Sequence, residues 1–147
     1  MKIRIKQVQK LIGLPLPAYA TQGSAGVDLY AAISTPFIIK PLDRVLVPSG
    51  IAIALPFGYE AQIRSRSGLA KNFGIIVLNA PGTIDSDYRG ELQMPIVNLG
   101  KQDFQIEPAM RIAQLVISRY EIVNWELVDD LDSTTRGTKG FGSTGYQ

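Results

Sequence analysis

Among its 147 residues the chain has no histidine and no cysteine. Those two absences remove much of the usual catalytic repertoire: no imidazole can relay a proton, no thiolate can attack, and no Cys or His set can hold zinc. An enzyme built on this chain must take its base from Asp or Glu and activate water. The lack of cysteine also fits a reducing compartment.

An excess of either charge is missing too. Lys and Arg number 15 against 13 Asp and Glu, a formal net charge of +2, which is too small to announce a nucleic-acid or membrane partner. Lys2, Arg4, Lys6 and Lys10 crowd the N-terminus and are read as the solvated face of a strand rather than a basic arm. No apolar run approaches the 18 or more residues of a membrane span. Leu11 to Pro17, followed by Ala18-Tyr19-Ala20, has the order of a secretory leader, but the apolar stretch is short and holds two prolines, so a cytoplasmic location is expected.

What is present describes one folded domain. Hydrophobic residues make up 46% and charged residues 19%, and the length suffices to bury a core without disulfide or metal staples. Short apolar runs alternate with turn residues. Ile3 and Ile5 sit between basic neighbours, Arg44 to Val47 leads into Pro48-Ser49-Gly50, and Ile51 to Leu55 stops at Pro56-Phe57-Gly58. Tyr59 to Arg64, Ile75 to Leu78, Glu91 to Leu99, Phe104 to Ile106, Arg111 to Tyr120 and Ile122 to Val128 follow. Such spacing predicts an all-β sandwich or barrel. One short helix is expected from Ser67 to Asn72, capped by Ser67 and ended by Gly74. Pro95 inside a strand run predicts an edge strand or a bulge.

After Val128 the composition changes. The division expected is a β core over 1–131 and a glycine-rich arm over 132–147. On composition alone such an arm reads as a disordered terminus. It also holds the parts of an anion clamp that could order over a ligand: Arg136 and Lys139 for charge, glycines whose amides can converge, Ser143 and Thr144 as donors, and Phe141 free to stack on a base. The glycine order at 137–142 follows no strand–helix unit, so a dinucleotide fold is not supported, and no G-x-x-x-x-G-K-[ST] is present.

The stretch Gly82 to Leu92 concentrates chemistry, with Asp85, Asp87 and Tyr88 in one glycine-bounded turn. A calcium loop beginning at Asp85 fails because Arg89 stands where a third oxygen ligand is needed. Arg64-Ser65-Arg66-Ser67-Gly68 offers either an anion site at the start of the short helix or an ordinary capped surface helix. Arg111 and Gln114 lie at odd spacing on one strand and need not share a face.

Taken together, the segments Ser24 to Ala32, Arg66 to Ala70, Gly82 to Leu92, Arg111 to Ile117 and Arg136 to Gly145 resemble, in order, the five motifs of the trimeric dUTPase family. The resemblance implies a β jelly roll assembled as a homotrimer, each active site built from three subunits, with the C-terminal arm of one closing the site of another. It implies hydrolysis of dUTP to dUMP and pyrophosphate by attack of water at the α-phosphorus, which keeps uracil out of DNA and supplies dUMP. Asp85 is then the base, Asp87 a structural residue, and Asp28 the holder of Mg²⁺ through its water shell. Asn79, with Gly82 and Thr83, would admit uracil in a tight hairpin, and Tyr88 would pack beneath the deoxyribose. Arg66, Ser67, Gly68 and Gln114 would bind phosphates. Arg136, Gly142, Ser143 and Thr144 would close over the γ end, with Phe141 covering the base. Ser65 departs from the proline common in relatives. No stable nucleic-acid or membrane partner is implied. Three other readings remain: a dCTP deaminase, a nucleotide-binding module without turnover, and a jelly roll used only for assembly.

Overall fold

A computed structural model of the chain describes residues 1–8 and 13–140. Eleven strands and one helix follow one another among them: β1 Arg4–Gln7, β2 Gly26–Tyr30, β3 Phe37–Ile39, β4 Arg44–Pro48, β5 Ile51–Ala54, β6 Tyr59–Ser65, α1 Ser67–Phe73, β7 Ile75–Val77, β8 Gly82–Ile84, β9 Gln93–Asn98, β10 Phe104–Ile106 and β11 Arg111–Arg119. The all-β class expected from strand spacing therefore holds, with one short helix.

Every pairing among these strands is antiparallel. A four-stranded sheet runs β2-β11-β6-β8 and a three-stranded sheet β4-β9-β7, with β1-β5 and β10-β3 as two-stranded pieces. Alternation decides which side is dry. In β6, Ala61 and Ile63 are buried while Arg64 is exposed, so one face of the four-stranded sheet is apolar and the other polar. The apolar faces close over Leu29, Val47, Ile63, Ile75, Leu92, Met94, Ile96 and Ile106, at about 25 cal/mol for each Å² of apolar surface removed from water.

Several elements differ from the expectations, each for a physical reason. Strands β2, β3 and β8 form outside the runs from which strands are expected, and each is held by antiparallel pairing to a longer or later strand. The expected strand over 122–128 does not form. A strand needs partners for its N–H and C=O groups, and all residues from 121 to 140 are exposed on this chain. Pro95 lies neither at an edge nor in a bulge but opposite Leu46 in the middle strand of its sheet. Its carbonyl accepts from Leu78 N at 2.7 Å, one residue past the end of β7. The N–H that proline lacks would point to that same side, where the ladder has already stopped.

The helix starts where expected but is capped differently. Arg66 holds the N-cap position in extended conformation with no side-chain cap, and Ser67 is already the first helical residue. Gly74 ends the helix as expected, at φ 71°, with its N–H donating to the Ala70 carbonyl at 3.1 Å. A left-handed residue there costs glycine nothing.

Candidate active site

The polar face of the four-stranded sheet gathers one group of the expected site residues. Asp28 on β2 stands opposite Gln114 on β11, which stands opposite Arg64 on β6. The register of β11 against β2 shifts between Arg111 and Ala113. Arg111 pairs with Tyr30, and Ala113 with Leu29, so Ile112 is the extra residue of a bulge. That insertion changes the parity of the strand and brings Arg111 onto the face of Gln114, which odd spacing alone would not do.

Asp28 is the centre of this group. Its Oδ1 meets Arg66 Nε at 2.9 Å and its Oδ2 meets Arg111 Nη1 at 3.3 Å. Arg66 also donates from Nη1 to the Arg111 carbonyl at 2.9 Å. The Arg66 side chain is thus turned onto the strand, and as a donor-only group it could not take the N–H bonds that a cap must accept. The helix carries no acidic residue in its first turn, so the first N–H groups, at Ser67 and Gly68, remain available to an anion. Gln114 donates from Nε2 to the Ser65 carbonyl at 2.8 Å, and a Cβ on Gly26 would come within 2.9 Å of its Oε1. Ser65, noticed in the sequence only as a departure from proline, accepts the Val77 N–H on its Oγ at 2.9 Å. That bond ties the end of β6 to β7, and nothing in the sequence pattern signalled it.

A second group surrounds β8. The connection from β7 carries Asn79, whose amide lies against Gly82: a Cβ on that glycine would meet Nδ2 at 3.0 Å. Asp85 follows the strand and opens a turn closed by Tyr88 N to the Asp85 carbonyl at 3.2 Å. Asp85 is exposed. Asp87 occupies the middle of the turn, exposed and without an ion pair among the described residues. Arg89 braces the turn from outside, donating from Nη1 to the carbonyls of Ser86 at 2.6 Å and Tyr88 at 2.8 Å. The Tyr88 hydroxyl donates to the Glu91 carbonyl at 3.0 Å. Thr83, Ile84, Asp85, Tyr88, Glu91 and Gln93 line a cavity of about 200 Å³. A larger cleft of about 510 Å³ runs between Lys71 and Phe104, beyond the C-terminal end of α1, and holds none of the expected substrate ligands.

The two groups do not meet within one chain. From β2 to β8 the sheet order gives three strand spacings, about 14 Å at the usual interval. Ile63 pairs with Gly82, so Asp85 lies four further residues along the ladder from the Asp28 row, about 13 Å more. Among the described residues of the arm, up to 140, no side-chain hydrogen bond reaches either group. Arg136 donates from Nε to the Lys139 carbonyl at 3.0 Å, and Gly137 N to Thr134 Oγ1 at 3.1 Å, both contacts being local. Phe141, Gly142, Ser143 and Thr144 lie outside the described residues, as does Lys10.

Among the described residues no three His, Cys, Asp or Glu side chains cluster as metal ligands, and both oxygens of Asp28 already carry guanidinium groups. A cation here cannot have an all-protein cage. The donor set still suits an outer-sphere role, because a carboxylate with two arginine contacts keeps lone pairs for metal-bound water. Among the described residues no helix is long and apolar enough to cross a membrane.

Comparison with known proteins gives one answer. The family model described as dUTPase matches residues 13–145. A deoxyuridine 5'-triphosphate nucleotidohydrolase of Orientia tsutsugamushi (strain Ikeda) is 68% identical, with all of both chains covered. The enzyme of that name from Anaplasma marginale (strain St. Maries) is 55% identical over 99% of each chain. Among solved structures, the Staphylococcus bacteriophage 80alpha dUTPase with dUPNHPP superposes at a TM-score of 0.88, with 25% identity and 98% of each chain covered.

Proposed function

The chain belongs to the dUTPase family, a hydrolase converting dUTP to dUMP and pyrophosphate, and from that premise we propose how its own residues divide the work. The observation that carries the proposal is the exposed Asp85 on a braced turn, beside Tyr88 in one cavity, in a chain with no imidazole or thiol. Asp85 orients a water molecule and takes its proton as the oxygen attacks the α-phosphorus. The bond from that phosphorus to the bridging oxygen breaks, and pyrophosphate leaves with the electron pair.

Uracil enters at the connection between β7 and β8, which pair with different neighbours and so form no hairpin of their own. Its edge is met by backbone groups and Asn79, with Gly82 and Thr83 alongside. Closeness of the Asn79 amide to Gly82 supports a slot with no room for a thymine methyl, and cytosine would leave buried donors and acceptors unpaired. Tyr88 packs beneath the deoxyribose. Arg66, Ser67, Gly68 and Gln114 hold phosphates, and Arg136, Phe141, Gly142, Ser143 and Thr144 close the site. Asp28 would hold Mg²⁺ through water. When bound, that ion would neutralise the triphosphate and fix its shape.

Separation of the two groups within one chain supports a site shared between subunits of a homotrimer: the Asp85 turn of one faces the Arg66 group of another, and the arm comes from a third. The segment after β11 supports the same assembly. Trp125 is 94% exposed and Leu127 100% exposed on their own chain, a run of apolar surface that a lone molecule rarely leaves in water. A cytoplasmic location belongs to this proposal.

A pyrophosphate-release assay with dUTP, dCTP, dTTP and UTP, with and without Mg²⁺, tests the reading. Release from dUTP alone, dependent on the ion, is expected. Ammonia from dCTP would favour the deaminase reading, and binding without turnover a regulatory module.

A further inference from the structure

Tyr88 is held more firmly than a surface aromatic in an open turn needs to be. Its hydroxyl donates to the Glu91 carbonyl at 3.0 Å, and its ring lies on the bare Cα of Gly90. A Cβ built there would come within 2.5 Å of Tyr88 Cζ and 3.0 Å of Cε2, and closer still to the hydroxyl oxygen. Such distances do not occur between real atoms, so any other residue at 90 must displace the ring. Gly90 does not lie in the left-handed region of φ, so nothing in its backbone demands glycine. The tyrosine ring does.

The carbonyl that receives the hydroxyl is itself tied to the core. Glu91 Oε1 accepts from Gly50 N at 2.8 Å. Leu92 N donates to the Ile51 carbonyl at 2.9 Å, and Ser49 N to the Leu92 carbonyl at 3.0 Å, while Leu92 is fully buried. Through these three bonds the phenol takes its position from the packed interior instead of from its own turn.

We propose that Gly90 is a specificity-determining positioning residue: by seating the Tyr88 ring against the backbone at 90–91 it sets the enzyme's rejection of ribonucleotides. The inference rests on the reading that Tyr88 meets the sugar. The physical reason is that packing rejects one extra hydroxyl only modestly, by roughly 100-fold. It does so only if the excluding wall cannot swing aside, because a ring with freedom to move yields to the 2′-OH at little cost. Seating, rather than the ring as such, then decides the ratio of kcat/KM for dUTP to that for UTP.

The experiment measures that ratio for the full chain and for Gly90→Ala, Tyr88→Phe, Tyr88→Ala and the double variant Gly90→Ala/Tyr88→Ala. The expected result is a fall of about tenfold in Gly90→Ala, a smaller fall of at least about threefold in Tyr88→Phe, which frees the ring without touching the backbone, and no further change when Gly90→Ala is added to Tyr88→Ala. If Tyr88→Ala lowers the ratio but Gly90→Ala leaves it within about threefold of the parent, the inference fails and the sugar contact stands. An additional fall in the double variant also overturns it, since Gly90 would then act by another route. If Tyr88→Ala itself leaves the ratio unchanged, the reading of Tyr88 fails first. Should Gly90→Ala not fold, Tyr88→Phe decides: an unchanged ratio there rejects the seating argument.

Discussion

Gln114 lies against the bare Cα of Gly26, its Oε1 within 2.9 Å of where a Cβ would stand, while its Nε2 donates to the Ser65 carbonyl at 2.8 Å. The amide is confined from both ends. Gly26→Ala is expected to push it off Ser65 and weaken the proposed phosphate contact. Steady-state kinetics should show KM for dUTP rising about tenfold with kcat within about twofold of the parent. An unchanged KM would take Gln114 out of substrate binding.

Asp85→Asn keeps the shape of the turn, because the turn is closed by backbone groups and braced by Arg89, yet removes the only proposed proton acceptor. Turnover is expected to drop by about 100- to 10,000-fold, while dUTP affinity, measured calorimetrically, stays within about threefold. Near-normal kcat rejects the base assignment.

A shared site makes a sharper prediction. Asp85→Asn and Arg66→Ala each disable a different half-site, and in a cyclic trimer any mixed assembly contains one interface with both halves intact. Unfolding and reassembling the two inactive variants together at equal amounts should restore about a quarter of parental activity. A mixture no better than its components places both residues in one subunit's site and contradicts the separation argued above.

Asn98 is fully buried and joins three backbone groups: its Nδ2 donates to the Ile39 carbonyl at 2.9 Å and the Gln102 carbonyl at 2.8 Å, and its Oδ1 accepts Gly100 N at 2.8 Å. Asn98→Ala leaves all three without a partner and is expected to cost about 3 kcal/mol. Urea unfolding should show a lower midpoint at unchanged slope. A midpoint equal to the parent's would mean that water replaces the amide at no cost.

Much of the fold was legible because apolar runs bounded by turn residues advertise themselves. Phe104 to Ile106 coincides with β10, and Tyr59 to Arg64 lies within β6, where buried and outward residues alternate. What escaped was decided by pairing rather than by pattern. Ile122 to Val128 has the composition of a strand, but composition cannot say whether an edge is there to receive it. Local preference likewise favoured Ser67 as the helix cap, whereas the helix begins one residue earlier, with Arg66 in the N-cap position and Ser67 as its first residue. The expected site residues stand in the sequence as types in order, which does not give their arrangement. The extra residue at Ile112 is invisible in a string of strand-forming side chains, yet it alone puts Arg111 and Gln114 on one face.

Trp125 is the only tryptophan in the chain, and it sits almost wholly in water on its own molecule. The indole is therefore a native optical reporter that is blind to the folded interior. Its emission stays red-shifted for as long as molecules are solitary, whatever the state of their cores, and moves toward the blue only when a neighbour covers it. A dilution series read by wavelength would follow association alone, with no dye or engineered label.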